Sequence, residues 1–460
     1  MGDRGLLIVA GLDTSGGAGV TASASLASAL GVNYSVVVSA LVIEDCYNVY
    51  SVQPLSVDIL LEQLGLSKEP LVVKTGVLGS PGNVKAVARH VDSMPTSTIV
   101  VVDPVFESGA GGSLVAGDRG EYLRALRRLI EGSIVAANAA EAEALLDRPL
   151  RTIRDQEEAA KLLVEKLGAR AAIVKGGHVP GRVARDVLYY DGEVYTSTHP
   201  RLNVCRGGVH GVGCVFSTAL ASLLASGRSL LEAFREASRI SWLSIVYSRP
   251  CSPREGGRCV SDPLAVLRKQ AETLSSMKRV EEAASIVEDN TSVLSAFLPE
   301  VGMNIAEAPP GSLTPEEIVA VEGRLRYVGG RIRPCGCPKP GASSHLARLL
   351  AGLQHGFPRL LGAVNIAYHP LLVEAARRMG LEVMEVDRAR EPHPEAEGGT
   401  MEWIAGLAAA RLKSLPFIVY DRGAPGKEAM IRLVAGSSRE AVEILVKLAR
   451  EASRLGGGGV

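Results

Sequence analysis

The chain has 460 residues, 47% of them hydrophobic and 22% charged, with a formal net charge of zero. Its length predicts two or three domains with a sizeable core, and the balanced charge excludes a bulk field that would favour nucleic acid or an anionic membrane. No run of about 18 apolar residues exists, so no membrane span is expected; the opening MGDRGLLIVAG lacks the form of a signal peptide, which predicts a cytoplasmic protein.

In chain order, Leu6–Ala10 reads as a strand, followed by the glycine-rich stretch Gly11–Gly19 and small residues as far as Leu30. Further strands are expected at Tyr34–Leu41, Leu71–Thr75, Thr98–Val102, Ser133–Ala136 and Ala171–Lys175, with helices such as Glu121–Ile130 and Asp155–Leu167 between them. This alternation predicts an α/β fold with a mostly parallel sheet covered on both faces. Asp186–Tyr190 and Glu193–Ser197, joined by Asp191-Gly192, read as a hairpin. Pro250–Arg258 is a loop, and Pro263–Met277 and Glu281–Phe297 read as helical, which puts a junction near 265–285. The second half starts at Leu298 and ends in Gly456–Gly459, which should fray.

Cysteines stand at 46, 205, 214, 251, 259, 335 and 337. The odd number and irregular spacing imply no disulfide framework. Cys251 and Cys259 flank the Pro/Gly/Arg loop and could pair; Cys335-Gly336-Cys337 could bind metal but lacks a second ligand pair nearby. Arg outnumbers Lys and Gln is scarce, as in some thermophile proteins, where intracellular disulfides occur.

Two segments carry chemistry in the first half. Val209–Val215 (VHGVGCV) opens the apolar run Phe216–Leu224, so Gly211, Val212 and Gly213 lead into a helix whose N-terminal N–H groups can hold an anion. Cys214 falls in the first turn, where a thiol pKa is expected to be lowered and the side chain can take a proton; a buried cysteine in a glycine turn is the plainer alternative. The strand–loop–helix of Ile8–Val20 places Asp13-Thr14-Ser15-Gly16-Gly17-Ala18-Gly19 where backbone meets ligand. It is neither a Walker P-loop nor G-x-G-x-x-G.

With Lys175-Gly176-Gly177-His178, these segments resemble hydroxymethylpyrimidine and hydroxymethylpyrimidine-phosphate kinases of the ribokinase-like superfamily, over roughly residues 5–265. Val101–Val105 fits a family strand and loop, Asn138-Ala139-Ala140-Glu141 fits the N-x-x-E motif, and Cys214, where most sugar kinases of the superfamily have Asp, argues for the pyrimidine branch. The resemblance implies a ribokinase-like three-layer αβα domain. It also implies Cys214 as base, Lys175 beside the nucleotide phosphates, and Asn138 and Glu141 holding Mg²⁺ directly or through water, with ATP as co-substrate. Gly11, Asp13, Gly17, Ala18, Glu44 and Val105 would enclose the pyrimidine. Four positions depart from the pattern: Thr21 and Ser23 replace Gln and Asp, Val212 replaces Thr, and Glu44 replaces a Gln whose amide donates to the pyrimidine. A carboxylate only accepts unless protonated.

The second half carries Gly341-Ala342-Ser343-Ser344-His345 before an amphipathic run, a helix start able to hold phosphate. With P-E-V-G-M-N-I (299–305), E-G-R (322–324), N-I-A-Y (365–368), T-M-E-W (400–403) and Y-D-R-G-x-x-G-K-E (420–428), it resembles the archaeal type of thiamine-phosphate synthase domain, itself an α/β fold. The resemblance implies that Arg324 and His345 carry catalysis. Ser343, Ser344, Arg422 and Lys427 are further phosphate-binding candidates, with Mg²⁺ as companion. The first family makes the pyrimidine pyrophosphate that the second couples to thiazole phosphate.

The expected organisation is a kinase domain over 1–268, a helical linker over 269–285 and a synthase domain over 286–460. The expected partners are the small-molecule substrates and further copies of the chain, as a homodimer or higher oligomer, without nucleic acid or membrane. Two other readings stand beside this one: an active synthase with a degenerate kinase half, and a ligand-sensing regulator. The second of these lacks a basic recognition helix in the sequence.

Overall fold

The computed structural model describes residues 5–67, 69–109, 111–179, 181, 183–251, 257–392, 399–424 and 426–457. Residues 252–256 of the loop expected at 250–258, Gly398, Pro425 and the last glycines, Gly458 and Gly459, lie outside them. The chain divides into two compact units, Met1–Leu267 and Arg268–Val460.

The first unit is built on strands β1 (Leu6–Asp13), β2 (Tyr34–Glu44), β3 (Val49–Pro54), β4 (Val72–Thr75), β5 (Ile99–Val102), β6 (Ile134–Ala137), β7 (Ala171–Val174), β8 (Val183–Tyr190) and β9 (Glu193–Pro200). They form one sheet in the order β3-β2-β1-β4-β5-β6-β7-β8-β9. The six strands from β2 to β7 run parallel, and β3, β8 and β9 are antiparallel additions at the two ends. Side chains alternate between two cores. Leu7, Val9, Val73, Val102 and Val135 meet helices α2 (Val57–Gly65), α3 (Pro81–Asp92), α4 (Arg119–Ile130), α5 (Ala139–Leu146) and α6 (Ile153–Glu165). Leu6, Ile8, Val101 and Ile134 meet α1 (Gly19–Ala29), α7 (Val212–Ala225) and α8 (Leu230–Val246). This is the three-layer αβα arrangement, and burial on both faces explains why the strands read as continuous apolar runs. The strand order reverses at β1, the place where open α/β sheets take ligands beyond the carboxyl ends of their strands.

Short strands β10 (Val209–His210), β11 (Arg249–Pro250) and β12 (Cys259–Val260) form a separate small sheet. Pro250 lies opposite Cys259 in the antiparallel β11–β12 pair, so period-2 alternation sends Cys251 to the other face from Cys259. The Cys251–Cys259 pairing weighed from sequence is therefore corrected: the disulfides are Cys46–Cys251 and Cys205–Cys259.

In the second unit, a seven-stranded sheet runs β17-β14-β13-β18-β21-β20-β19. Its strands are β13 (Ile305–Ala308), β14 (Val319–Val321), β17 (Pro338–Pro340), β18 (Leu361–Ala367), β19 (Glu382–Glu385), β20 (Phe417–Asp421) and β21 (Met430–Ala435), with β15 (Leu325–Val328) and β16 (Arg331–Pro334) forming a hairpin beside it. One face packs on α9 (Ala265–Asp289), α10 (Thr291–Leu294), α12 (Pro370–Arg378) and α14 (Ser438–Leu455), the other on α11 (His345–Gln354) and α13 (Gly399–Arg411). The segment 269–285, read from sequence as a helical linker, lies within α9, and Val280, Ala283 and Ala284 of that helix are core residues of this unit. Lys269 donates to the Pro310 carbonyl at 3.1 Å, and Arg279 pairs at 2.6 Å with Glu307, which is fully buried. Among the described residues no helix is long and apolar enough to cross a membrane.

This packing sets where the second unit can be cut. A fragment of residues 268–460 is expected to unfold cooperatively and reversibly, whereas 280–460 loses Arg279 and strands a buried carboxylate. Removing one partner of such a pair costs about 3–5 kcal/mol, so urea unfolding of the shorter fragment should show a correspondingly lower stability. Equal midpoints for the two fragments would refute a structural role for residues 268–279.

Candidate functional site

In the first unit, the loop after β1 closes on α1 through a backbone approach that only glycine permits. Gly19 has φ +62°, and a Cβ there would lie 2.2 Å from the Gly11 carbonyl oxygen. Asp13, nearly fully buried, accepts hydrogen bonds from Ser15 N (2.7 Å), Ser15 Oγ (2.8 Å), Ala18 N (2.8 Å) and His210 Nε2 (2.9 Å). Burial works to raise its pKa, but the His210 and Ser15 hydrogen bonds outweigh it and hold the carboxyl below its ordinary value. Glu44, at the end of β2, shares this pocket: its carboxylate, Asp13 and His210 each place an atom within 4.8 Å of the others. Because Asp13 is already saturated with donors, the trio fits a proton-holding network better than a cation site. Burial, then the neighbouring Asp13 charge, pushes the Glu44 pKa up to about 7. Val42 and Val77, with Val105 against them, form an apolar wall beside Gly11. Gly11, Asp13, Gly17, Ala18, Glu44 and Val105 thus lie near one another beyond the carboxyl ends of β1 and β2.

The helix start at α7 follows the same logic. Gly211 is its N-cap with φ +88°, and a Cβ there would lie 1.9 Å from the Gly17 carbonyl oxygen. Val212, Gly213 and Cys214 form the first turn, where N–H groups lack helical acceptors and favour an anion. Lys175 Nζ reaches this turn, since a Cβ on Gly213 would lie 3.3 Å from it. It pairs with Asp103 at 3.0 Å and Glu141 at 3.9 Å. Burial would lower the Lys175 pKa, but those carboxylates outweigh it and push it up, so its charge is fixed.

Asn138 and Glu141 form the capping box of α5: Asn138 Oδ1 accepts from Glu141 N, and Glu141 Oε2 accepts from Asn138 N. Their oxygen donors suit Mg²⁺. Direct ligation would open the cap, so the residues fit a water-mediated ion. The lowered thiol pKa expected of Cys214 is corrected: burial dominates and raises it, against the pull of Lys74, a Gly19 N–H and Lys175.

Three residues of this site went unused in the sequence reading: His210 as the Asp13 donor, Asp103 as the Lys175 partner, and Lys74. The last was detectable as a charge inside the apolar run L-V-V-K-T-G. Two departures lie elsewhere: Thr21 is exposed, and Ser23 accepts a hydrogen bond from Thr218 Oγ1 between α1 and α7.

The second unit holds a cavity of about 510 Å³ lined by Arg324, Ser343, Ser344, His345 and Lys427, with Arg348, Arg388, Arg432, Asn304 and Asn365. Arg324 has φ +70° and donates Nη1 to the Val301 carbonyl. A left-handed non-glycine backbone is uncommon and clusters at functional sites. Ser344 is the N-cap of α11 without making a side-chain cap bond, and His345 is the first helical residue. Burial, then Arg432, Arg324, Arg388 and Arg348, pushes the His345 pKa down to about 4. Buried Asp421 pairs with Arg432 at 2.8 Å and with Arg388 at 3.7 Å. Arg388 Nε is buried without a hydrogen-bond partner among the described residues.

Arg422 does not line this cavity; it is exposed and held by Glu385 at 2.7 Å. Sequence reasoning missed Arg388 and Arg432; an arginine inside the apolar strand M-I-R-L-V-A was the available signal for the second.

In comparisons with known proteins, residues 13–260, more than half of the chain, match the family described as Phosphomethylpyrimidine kinase, and residues 279–447 match Thiamine-phosphate synthase ThiN. The Bifunctional thiamine biosynthesis protein ThiDN of Methanocaldococcus jannaschii is 27% identical, over 96% of this chain and 97% of its own length. The Thiamine-phosphate synthase ThiN of Methanothermobacter thermautotrophicus is 36% identical, over 40% of this chain and 96% of its own. The pyridoxal kinase from Staphylococcus aureus, solved with AMP-PCP and pyridoxal, superposes with a TM-score of 0.50 at 28% identity, covering 57% of this chain and 94% of that one.

The second cavity gives a titration to measure. His345 is expected to remain neutral in the ligand-free protein until pH falls toward about 4. Pyrophosphate, by neutralising the arginines, should raise its pKa by a unit or more. Imidazole NMR shifts followed against pH with and without pyrophosphate test this, and a midpoint near 6.5 in the free protein would contradict the buried, arginine-ringed environment.

Proposed function

We infer the reactions from kinship and site together: the chain belongs to the phosphomethylpyrimidine kinase family, and its second unit belongs to the thiamine-phosphate synthase ThiN family. It is a bifunctional enzyme of thiamine biosynthesis. The first unit phosphorylates hydroxymethylpyrimidine and its phosphate. The second couples the resulting pyrophosphate to thiazole phosphate, releasing pyrophosphate. The observation that carries the residue assignments is the pairing of an anion-binding helix start with a titratable side chain at its first turn in each unit: Gly211–Cys214 and Ser343–His345.

In the kinase reaction we assign ATP as donor and Cys214 as base. The substrate oxygen attacks the transferring phosphorus, the bond to the ADP oxygen breaks, and the substrate proton passes to Sγ of Cys214 in its thiolate form, a minority form because burial raises the thiol pKa. Lys175 and the N–H groups of Val212–Cys214 meet the negative charge spread over the phosphoryl oxygens. Asn138 and Glu141 would hold Mg²⁺ through water, and the ion, when bound, would neutralise phosphate charge. Glu44 faces the pyrimidine. With a pKa near 7 it keeps a donor hydroxyl at mildly acidic pH, which partly restores what a Gln would supply.

In the synthase reaction, charge develops on the departing pyrophosphate. Arg324, with Arg388 and Lys427 nearby, can grip it. Neutral His345 offers a ring N–H, and becomes a proton donor as bound phosphate raises its pKa.

A double dissociation tests the assignment. Cys214→Ala should lower ATP-dependent phosphorylation by ~10²–10⁴ while sparing thiamine phosphate formation from supplied pyrimidine pyrophosphate. Arg324→Ala and His345→Ala should do the reverse. Parent rates in Cys214→Ala would remove it as base.

Glu44 gives a pH prediction. Its proton is present below pH 7 and lost above, so pyrimidine affinity of the parent should fall as pH rises from 6.5 to 8.5. Glu44→Gln should be flat over that range, near parity at pH 6 and better at pH 8. An unpaired buried group costs about 1–3 kcal/mol, so the gain at pH 8 should approach tenfold. Weaker binding by Glu44→Gln throughout would give the carboxylate its own role.

A further inference from the structure

The first unit contains a buried cation that the mechanism above does not use. Lys74 is completely buried, and its Nζ has no hydrogen-bond partner among the described residues. Burying an ammonium without a counter-charge is expensive, and lysines with purely structural roles pair or extend their heads to water. Lys74 does neither.

Its direction follows from the sheet register. Lys74 on β4 is aligned with Ile8 on β1 and Val101 on β5. Both neighbours belong to the core on the α1, α7 and α8 face, so the Lys74 side chain is on that face too. Strand β4 packs directly against α7 there. The ammonium lies close to Gly76, where a Cβ would sit 3.2 Å from Nζ.

Cys214, the third residue of α7, is the titratable group across from it. The charged and donor groups that face the Cys214 sulfur are Lys74, Lys175, Asp103 and the Gly19 N–H. Of the two ammonium groups, Lys175 is taken up by Asp103 and Glu141. Lys74 has no carboxylate ion pair among the described residues.

We propose that Lys74 is a positioning residue of the kinase reaction, its buried ammonium being the counter-charge that offsets part of the cost of burial and so keeps the Cys214 thiolate, the form that takes the substrate proton, within reach. This deepens the kinase reading and rests on it. Burial keeps Cys214 mostly a thiol in the free enzyme; where it has given its proton to solvent, the thiolate is paired with Lys74. When the substrate hydroxyl attacks the phosphoryl group, its proton passes to sulfur, and Lys74 then faces the charge that has moved to the phosphate oxygens.

The test reads the thiol itself. Iodoacetamide labelling of Cys214 is followed against pH and resolved by peptide mass spectrometry, because Cys335 and Cys337 are also free. Lys74→Met keeps the stem and removes the charge. It should slow Cys214 labelling at pH 7 by about tenfold or more and move the labelling profile upward by about one pH unit or more. Kinase turnover should fall alongside and recover as pH rises, while thiamine phosphate formation from supplied pyrimidine pyrophosphate is unchanged. An unaltered labelling profile in folded Lys74→Met protein overturns the proposal.

Should that variant not fold, the reciprocal measurement decides. Nitrogen-15 NMR of the lysine side chains should show the Lys74 Nζ resonance moving as Cys214 is titrated in the parent but not in Cys214→Ala, and identical pH profiles overturn the proposal. A parent enzyme that makes no ADP with the aminopyrimidine would sink the kinase reading instead, while the labelling and NMR comparisons still report on the pair.

Discussion

Burial of both faces of a β-sheet is the constraint on which each unit depends. Once helices cover a sheet on both sides, strand interiors must be apolar, and polar chemistry is driven to the strand ends or must be paired where it remains inside. Leu7 and Val9 serve one core and Leu6 and Ile8 the other. The same strand then delivers Asp13, the first buried carboxylate, at its carboxyl end. In the second unit Asp421 ends β20 in the same way, and Arg432 is tolerated inside β21 because Asp421 lies 2.8 Å from it.

The two sites solve opposite electrostatic problems. In the kinase cleft, acids are numerous: Asp13, Glu44, Asp103 and Glu141 are all buried. They are stabilised separately, Asp13 by donated hydrogen bonds, Asp103 by Lys175 and Ser217, and Glu44 by keeping its proton near neutrality. The synthase cavity is cationic, with four arginines acting on one histidine. In the kinase site it is Lys175 and the free N–H groups at the start of α7, not the acids, that suit a polyphosphate. An arginine-ringed cavity suits drawing off a leaving pyrophosphate.

Much of this was legible in the sequence because it is local. Apolar runs gave the positions of β1, β4, β5, β6 and β7 to within a few residues, since burial on both faces leaves one pattern to read. The glycine loop and the helix start before Cys214 were legible because positive φ at Gly19 and Gly211 demands that residue. What failed was long-range. Nothing near Cys251 in sequence reveals that its partner is Cys46, 205 residues away. Arg422 and Arg324 read alike in sequence, and nothing local to Arg422 reveals the Glu385 ion pair that holds it. The Cys214 thiol illustrates a balance of magnitudes: the helix terminus lowers a thiol pKa, but desolvation outweighs it. Residues 269–285 read as a helical linker because their pattern is polar, and one face of that helix enters the core of the second unit.

The two disulfides overlap along the chain, because Cys205 lies inside the loop closed by Cys46 and Cys251 while Cys259 lies beyond it. Every peptide bond from residue 46 to residue 259 therefore belongs to at least one covalent ring. A single proteolytic cut anywhere in that span, including the segment between Cys251 and Cys259, opens a ring without releasing a piece. The loops that carry Glu44, the turn before Gly211 and the hairpin ending at Val260 stay attached to one another through sulfur even when the backbone between them is severed. Connectivity of the kinase cleft is thus held in duplicate, once by the main chain and once by its crosslinks.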